Sequence, residues 1–185
     1  MCPGLSIGIR ASEIALQEIG PHASDDEIVA VVEADMCGVD AIQFLTGCTF
    51  GKGNLIFMDH GKNAFSFYRR SDNKGIRIIT KPQIMARVPC ELEALQEKLF
   101  AGSLSPEERE RFMEIQCIRS KQIMEMALDD LFEVKACQKP IPRQAMLHQS
   151  LICEACGEST MESRVRKFGG KTLCIPCFEQ LEKRF

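Results

Sequence analysis

Apolar residues in the first quarter of the chain follow a helical spacing and then a strand spacing. Residues 3–19 are a predicted helix because apolar side chains recur every three or four positions until a Gly-Pro pair ends the pattern. The helical positions include Ile7, Ala11, Ile14 and Ala15. Residues 27–33 hold an uninterrupted apolar run between charged residues, which predicts a buried strand. Residues 39–46 are then a predicted short helix that a glycine ends.

Three further strands are predicted in sequence, at residues 54–59, 64–69 and 76–80, with turn-forming residues between them. Phe65 and Phe67 alternate with smaller or more polar neighbours, which is the pattern of a half-buried strand. Together with the first strand, these segments predict a meander-like sheet.

The following segments are predicted to be helical. Residues 90–101 have a helical composition, and Ser105 opens a capping box with proline next to it. This box begins a long predicted helix over residues 106–131, after which residues 132–136 are predicted to return to the sheet. The order of elements predicts an α+β fold, with a mixed or antiparallel sheet packed against helices.

A proline-containing stretch divides the chain. Pro140 and Pro142 exclude a helix or a central strand, so the segment around them is a predicted stiff linker. We place a core domain at residues 1–138, the linker at residues 139–150 and a small module at residues 151–185.

Two Cys-x-x-Cys pairs lie in this module. They are separated by seventeen residues, and their members are Cys153, Cys156, Cys174 and Cys177. This spacing is typical of a tetrahedral zinc site, because each pair aims two sulfurs at one point. Four protein ligands leave no open position, so the sequence predicts one structural Zn²⁺ per chain. The alternatives are four unrelated cysteines or a redox pair.

The elements around the four cysteines predict a treble-clef zinc finger. Two strands, at residues 162–168 and 171–173, are joined by a Gly-Gly turn, and an amphipathic helix begins at Ile175 and includes Phe185. Basic residues cluster here at Arg164, Arg166, Lys167, Lys171, Lys183 and Arg184. We interpret them as a solvated or protein-docking face.

Composition narrows the functional classes. The chain has 185 residues and a formal net charge of −3, which gives no overall attraction to nucleic acid or an anionic membrane. No apolar run approaches the ~20 residues that span a bilayer, and no secretory signal is recognisable at the N-terminus. Ten cysteines in such a chain favour metal ligands, catalytic thiols or buried side chains over disulfides. We expect a cytoplasmic protein.

Three segments of the core domain carry candidate chemistry. Cys2 and Cys37 each lie at a predicted helix start, where the helix dipole favours a thiolate, and Asp40 follows one turn later. Lys52 lies in a glycine-rich loop with three candidate ligand-binding residues, Thr49, Gly51 and Gly53. Cys2, Cys37, Asp40 and Lys52 are therefore the candidate catalytic residues. Each feature considered alone has a simpler interpretation. The loop would be an ordinary turn, and an isolated cysteine would be a small apolar side chain in the core.

The same segments resemble a known family. Cys2-Pro3-Gly4-Leu5-Ser6-Ile7-Gly8, Cys37-Gly38-Val39-Asp40-Ala41-Ile42-Gln43 and Gly47-Cys48-Thr49-Phe50-Gly51-Lys52-Gly53-Asn54-Leu55 resemble, in order, the E-subunit family of formylmethanofuran dehydrogenase. The resemblance implies an α+β core, often followed by a treble-clef zinc finger. The family takes its name from a molybdenum or tungsten enzyme of methanogenesis, in which another polypeptide is the catalytic one.

The resemblance also implies a metal site or an active site in the core, where a second metal is possible. The family usually has His-Gly-His shortly before Cys-Pro-Gly, whereas this chain has Met1 directly before Cys2. Only the cysteine half of that cluster, Cys2 with Cys37, carries over.

These observations lead to two hypotheses about the function of the protein. The first is an accessory or interaction protein of a molybdenum or tungsten oxidoreductase, with the zinc finger as a docking platform. The second is a small cysteine-dependent metal- or ligand-binding enzyme with a cleft formed by Cys2, Cys37, Asp40 and Lys52. A nucleic-acid-binding protein is a weaker third. We also expect a homodimer, because the long helix has a second apolar stripe at Met113, Met124 and Leu128.

Overall fold

The computed structural model describes residues 2–23, 27–86 and 89–183 of the chain. Predictions that involve Met1, Arg184 or Phe185 lie outside these residues. The chain divides into two compact units, Met1–Gln144 and Ala145–Phe185.

A five-stranded sheet forms the centre of the first unit. Its strands are β1 (Ile28–Val32), β2 (Leu55–Phe57), β3 (Ala64–Arg69), β4 (Lys74–Thr80) and β5 (Phe132–Ala136). They lie in the order β2-β1-β3-β4-β5, with β1 and β2 parallel and the other neighbours antiparallel.

The sheet is mixed and is not a simple meander. β1 lies between β2 and β3. β2 is parallel to β1, because the helix between these two strands returns the chain to the end of the sheet where β1 begins. A parallel neighbour needs such a crossover, whereas antiparallel strands can be joined by a tight turn. The predicted return of residues 132–136 to the sheet is confirmed, since β5 pairs with β4.

The first unit also contains six helices among the described residues. They are α1 (Pro3–Glu18), α2 (Cys37–Thr46), α3 (Pro82–Ala86), α4 (Cys90–Phe100), α5 (Pro106–Glu125) and α6 (Leu128–Leu131). The capping box is formed as predicted, because the Glu108 amide donates to Ser105 Oγ and the Ser105 amide donates to Glu108 Oε2. The short helix α3 was not predicted.

The single long helix predicted over residues 106–131 is wrong. Met126 has extended backbone angles (φ −71°, ψ 146°), so α5 ends at Glu125 and α6 begins at Leu128. Arg10 Nη2 donates to the Met126 carbonyl oxygen at 2.8 Å, which holds the break against α1. This contact spans more than a hundred residues of sequence, so local spacing does not reveal it.

The main core lies between one sheet face and the helices. It includes Ile7 and Ile14 of α1, Ile42 of α2, and Phe65 and Phe67 of β3. The expectation that β3 is half-buried is wrong, because its first five residues are buried on both faces. The side chains on the second face are covered by residues that follow β5.

The second unit contains two hairpins and a helix. Its elements are β6 (Ser150–Ile152), β7 (Ser159–Met161), β8 (Val165–Phe168), β9 (Lys171–Cys174) and α7 (Ile175–Glu182). The strand predicted from residue 162 begins three residues later, because Glu162–Arg164 forms a 3-10 turn. The β6–β7 hairpin was not predicted.

None of the helices in the described parts of the chain combines the length and the hydropathy that a membrane crossing requires.

Candidate functional site

Four cysteines converge in the second unit. Cys153, Cys156, Cys174 and Cys177 place their sulfur atoms within 4.8 Å of one another. Cys156 Sγ and Cys174 Sγ lie 3.9 Å apart. A zinc tetrahedron with Zn–S bonds of about 2.3 Å places its sulfurs about 3.8 Å apart, so this cluster fits a zinc ion. The cluster is the only group of three or more such ligand atoms among the described residues.

Local backbone geometry explains why the first pair can act together. The Gly157 amide donates to the Cys153 carbonyl oxygen at 2.9 Å, and Gly157 has a φ of +76°, which glycine adopts without strain. The Cys153 amide donates to the Glu158 carbonyl oxygen at 2.9 Å. These two bonds close the tight knuckle that holds the Cys153 and Cys156 sulfurs on one side.

The second pair is positioned by a helix start. Cys174 ends β9 and caps α7, and Cys177 lies in the first turn of that helix. The Cys174 amide donates to Cys153 Sγ at 3.3 Å, which ties the two pairs together. Leu173 is fully buried beside them, and Phe168 packs edge-on against Phe178 with ring centroids 5.6 Å apart.

The electrostatics of the cluster suit a bound cation. Backbone amides of Cys156, Cys174 and Ala155 lower the pKa of Cys153 to about 6, so this sulfur ionises more readily than an ordinary thiol. The pKa of Cys177 is raised to about 12, first by a hydrogen bond with the Cys174 side chain and then by burial of the thiol. Without a cation, the neighbouring thiols cannot all ionise together. A cation at the centre would stabilise all four thiolates and remove this obstacle.

In the first unit, the starts of α1 and α2 bring Cys2 and Cys37 together. Cys2 caps α1, and its sulfur accepts a hydrogen bond from the Leu5 amide at 3.4 Å. Cys37 is the first residue of α2. The neighbouring Cys2 thiol raises the pKa of Cys37, first through a hydrogen bond and then through charge, so the pair resists carrying two negative charges.

Close packing of glycines sets this convergence. A Cβ atom built on Gly38 would lie 3.0 Å from the Gly4 carbonyl oxygen and 3.4 Å from the Gly8 Cα. Helices can approach this closely only where side chains are absent. The glycines that follow Cys2 and Cys37 in the chain therefore help to place the two thiols side by side.

A cavity of about 510 Å³ adjoins Cys2. Its wall includes Ile7 of α1, Ile84 of α3, and Phe112, Gln116 and Arg119 of α5. The Gln116 Oε1 atom is buried and has no hydrogen-bond partner among the described residues. Sequence reasoning missed these residues, because more than eighty positions separate Cys2 from Ile84 and no local pattern marks them.

Three of the other candidate residues, Asp40, Thr49 and Lys52, line a second, more open depression. It is lined by His22, Asp40, Phe44, Gly47, Thr49 and Lys52. Asp40 lies one turn after Cys37 on α2, and its charge adds slightly to the pKa shift of that thiol. The cysteine pair and the Thr49 and Lys52 side of the loop thus belong to different surface features.

The glycine-rich loop uses its own polar groups internally. The Thr49 amide donates to Asn54 Oδ1 at 2.9 Å, and the Gly53 amide donates to the Phe50 carbonyl oxygen at 3.0 Å. Lys52 Nζ donates to the Ala23 carbonyl oxygen at 2.8 Å. Gly51 is exposed. These bonds stabilise the loop as a turn between α2 and β2.

Comparisons with known proteins agree with this architecture. A solved structure, that of a tungsten formylmethanofuran dehydrogenase FmdE-like protein from Syntrophus aciditrophicus, superposes with a TM-score of 0.62 at 23% identity. The superposition covers 98% of this chain and 85% of that one, and at this identity it shows the fold alone.

A curated relative is more similar in sequence. It is a probable S-adenosyl-L-methionine-binding protein of Archaeoglobus fulgidus, 31% identical in an alignment of 185 positions that covers 96% of this chain. The chain spans only about half of that protein, 49% of its length.

Two family models match the chain. The model described as "Prokaryotic dksA/traR C4-type zinc finger" matches residues 149–183, the region that holds the four-cysteine cluster. The model described as "FmdE, Molybdenum formylmethanofuran dehydrogenase operon" matches residues 1–133, which hold the cysteine pair and the sheet. The chain therefore belongs to the FmdE family and carries a C4-type zinc finger behind its FmdE domain.

Proposed function

We propose that the protein is a cytoplasmic, zinc-containing accessory protein that binds a molybdenum or tungsten oxidoreductase. The observation that carries this proposal is that the one complete ligand cluster among the described residues is closed by four cysteines. Such a zinc site stabilises a fold and leaves no open position for a substrate. The description of the family, which refers to a molybdenum formylmethanofuran dehydrogenase operon, supports an enzyme of that class as the partner.

A surface of the zinc finger is suited to docking. Met161 pairs with Ser150 across the β6–β7 hairpin, and Ile152 lies two residues from Ser150, so Met161 and Ile152 share one hairpin face. Their exposed fractions are 59% and 61%. Exposed apolar side chains that lie together on one face form a candidate protein-binding patch. Because the zinc holds this unit in shape, docking depends on the metal.

A binding measurement tests this proposal. The full zinc-loaded chain would be titrated by calorimetry against a purified molybdenum or tungsten formylmethanofuran dehydrogenase encoded in the same genome. Met161→Glu should weaken binding about ten-fold or more, because it places a charge in a desolvated contact. Gln180→Glu on α7 adds the same charge at another exposed position and should bind like the unmodified chain. Absence of binding by the unmodified chain would reject the accessory role.

A second candidate function is ligand binding at the Cys2 and Cys37 pair. Cys2 lines a cavity of about 510 Å³ and its thiol contacts that of Cys37, so the two thiols could provide two ligands for a thiophilic metal ion. The name of the archaeal relative makes S-adenosyl-L-methionine the first small molecule to test. Equilibrium dialysis should then find one bound molecule per chain, lost in Cys2→Ser and Cys37→Ser but retained in Cys117→Ser. Retention by all three variants would exclude this pair.

We also propose a homodimer formed through α5. Met113, part of the second apolar stripe predicted for this helix, is 60% exposed, which supports an apolar position open to a partner. Leu128, by contrast, packs against the main core of the first unit, so it is not such a position. Light scattering after size exclusion should give twice the chain mass, and Met113→Glu should shift it towards the monomer. A monomeric mass for the unmodified chain would contradict this proposal.

A further inference from the structure

The face of the sheet that points away from the main core has its own apolar cluster. Val29, Val31 and Tyr68 are buried on this face, with Ile56 and Met58 packed at their edge. Cys137 and Ile141 complete the cluster, and they belong to the segment that follows β5. In the part of the chain that the structure describes, the cover on this face is thus a single stretch of chain, whereas helices cover the other face.

This stretch, residues 137–142, is fixed at both ends. The Cys137 amide donates to the Gly75 carbonyl oxygen at 2.9 Å, which extends the β4–β5 pairing. At the other end, Arg70 Nη1 donates to the Pro142 carbonyl oxygen at 2.7 Å. Pro140 and Pro142 keep the segment extended between these anchors. We call residues 137–142 the cover segment.

A cavity of about 920 Å³ lies between the cover segment and the sheet. Its volume is within the range of small-molecule sites, which are mostly apolar and contain a few convergent polar groups. The apolar part of its wall is made by Val31, Ile56 and Met58. The polar part is made by Glu33, Ser66, Tyr68, Arg77, Lys135 and Lys139.

An ion pair forms the polar end of the cavity. The Glu33 side chain is only 10% exposed, and its carboxylate accepts bonds from Arg77 Nε at 2.7 Å and Arg77 Nη2 at 3.0 Å. His60 Nδ1 lies 3.3 Å from Glu33 Oε2, the oxygen that also accepts the bond from Arg77 Nη2. The charge of Glu33 is therefore compensated within the protein. The guanidinium has N–H donors beyond those two bonds, and its side chain is 29% exposed.

The lining carries an excess of positive charge. Among the described residues of the lining, Glu33 is the one acidic side chain, whereas Arg77, Lys135 and Lys139 are basic. Glu133, which does not line the cavity, forms an ion pair with Lys135 at 2.9 Å. Both side chains are exposed, so water screens the attraction between them. Burial raises the pKa of Tyr68, so its phenol stays neutral at physiological pH and adds no negative charge.

We propose that this cavity binds a small organic carboxylate with an apolar body. The carboxylate lies at the Arg77 end, where a planar guanidinium suits it, and Lys135 and Lys139 add to the attraction. The apolar body lies against Val31, Ile56 and Met58, where it displaces water from aliphatic side chains. This site is separate from the cysteine pair and from the four-cysteine cluster, whose residues do not line it.

The test uses a matched pair of probes on the full zinc-loaded chain. 1-Naphthoate is an aromatic carboxylate, and 1-naphthalenemethanol is a neutral molecule of similar size. Backbone NMR titration should give one naphthoate site, with shifts concentrated at Val31, Met58 and Ala136. The neutral probe should bind about ten-fold or more weakly, because it lacks the charge-assisted hydrogen bond.

Charge-reversal variants separate this site from general electrostatic attraction. Lys135→Glu with Lys139→Glu should weaken naphthoate binding about ten-fold, since two attractions become repulsions at the cavity rim. Arg109→Glu with Lys121→Glu on α5 makes the same change of net charge away from the cavity and should leave affinity within about two-fold. All four positions are exposed, so both variants should fold, which thermal unfolding checks.

Any one of four results would overturn the proposal. The first is no saturable binding of naphthoate up to about 5 mM, a concentration above the Kd of even weak specific complexes. The second is equally tight binding of the neutral probe, and the third is an equal loss of affinity in both double variants. The fourth is a concentration-dependent NMR shift of Val31 and Ala136 without probe, which would assign the surface to a second copy of the chain.

Discussion

Gly8 of α1 and Gly38 of α2 are in direct backbone contact. A Cβ atom built on Gly8 would lie 2.5 Å from the Gly38 Cα and 2.7 Å from its carbonyl carbon, distances that non-bonded atoms do not reach. This contact lets the two helix starts converge, and so it positions Cys2 beside Cys37. The glycines of the two cysteine motifs are thus explained by packing, whatever the thiols bind.

Gly8→Ala should therefore destabilise the first unit. The added methyl group meets backbone rather than a movable side chain, so the helices must separate, at a cost of about 3 kcal/mol. Chemical denaturation followed by circular dichroism measures this loss. Gly4→Ala is the matched control, since its Cβ would lie 3.4 Å from the flexible Met36 Cε atom and a helical alanine gains up to about 1 kcal/mol. Equal stability of the two variants would contradict the packing argument.

Removal of the metal should unfold the second unit and leave the first unit folded. A unit this small depends on its metal for folding energy, whereas the first unit has a large core of its own. Chelation should release one zinc per chain, and NMR signals of residues 145–183 should collapse while those of β1 and β3 remain. Cys156→Ser should abolish zinc binding, and Cys117→Ser, an exposed cysteine on α5, should not. A finger that stays folded after chelation would exclude a structural metal.

Acid should weaken the first unit through Glu33. Hydrogen bonds from Arg77 lower the pKa of Glu33 below its ordinary value of 4.5, against the opposing effect of burial. The ionised Glu33 carboxylate stabilises the fold fully above about pH 4.5, the ordinary pKa of the group. This contribution is lost as the pH falls through the lower pKa of the folded state. Glu33→Gln should cost about 2 kcal/mol at pH 7 and flatten the decline of stability in acid.

Denaturation at a series of pH values measures both effects of Glu33→Gln. Glu114→Gln is a suitable control, because Glu114 forms an exposed ion pair with Arg111 that contributes little to stability. An acid dependence that is the same in Glu33→Gln and in the unmodified chain would show that this ion pair does not act as described.

The Cys37 thiol should become more reactive when its neighbour is replaced. Cys2 raises the pKa of Cys37, so less of this thiol is ionised at a given pH than in an isolated cysteine. Cys2→Ser keeps an oxygen acceptor for the Leu5 amide but removes the second thiol, and labelling of Cys37 at pH 8 should accelerate about three-fold. Labelling of Cys117 should stay constant. An unchanged rate at Cys37 would mean that the two thiols do not interact.

The sequence predicted features whose physical cause is local. The Ser105 capping box was predictable because its two bonds join residues three positions apart. The helix starts at Cys2 and Cys37 were predictable from helical spacing, and the α+β class from the order of elements. The order of the strands in the sheet, in which β1 pairs with both β2 and β3, has no such local cause, so no pattern in the sequence predicted it.

The four zinc-ligand candidates were determined by the sequence alone, since two residues between cysteines suffice to aim a pair of sulfurs at one point. Only the tertiary structure decided that Glu33 meets Arg77, 44 positions away, and that the cover segment leaves a cavity behind the sheet. Such contacts depend on strand order and on how the chain returns to the sheet. Many distant residues fix these together, so no local pattern encodes them.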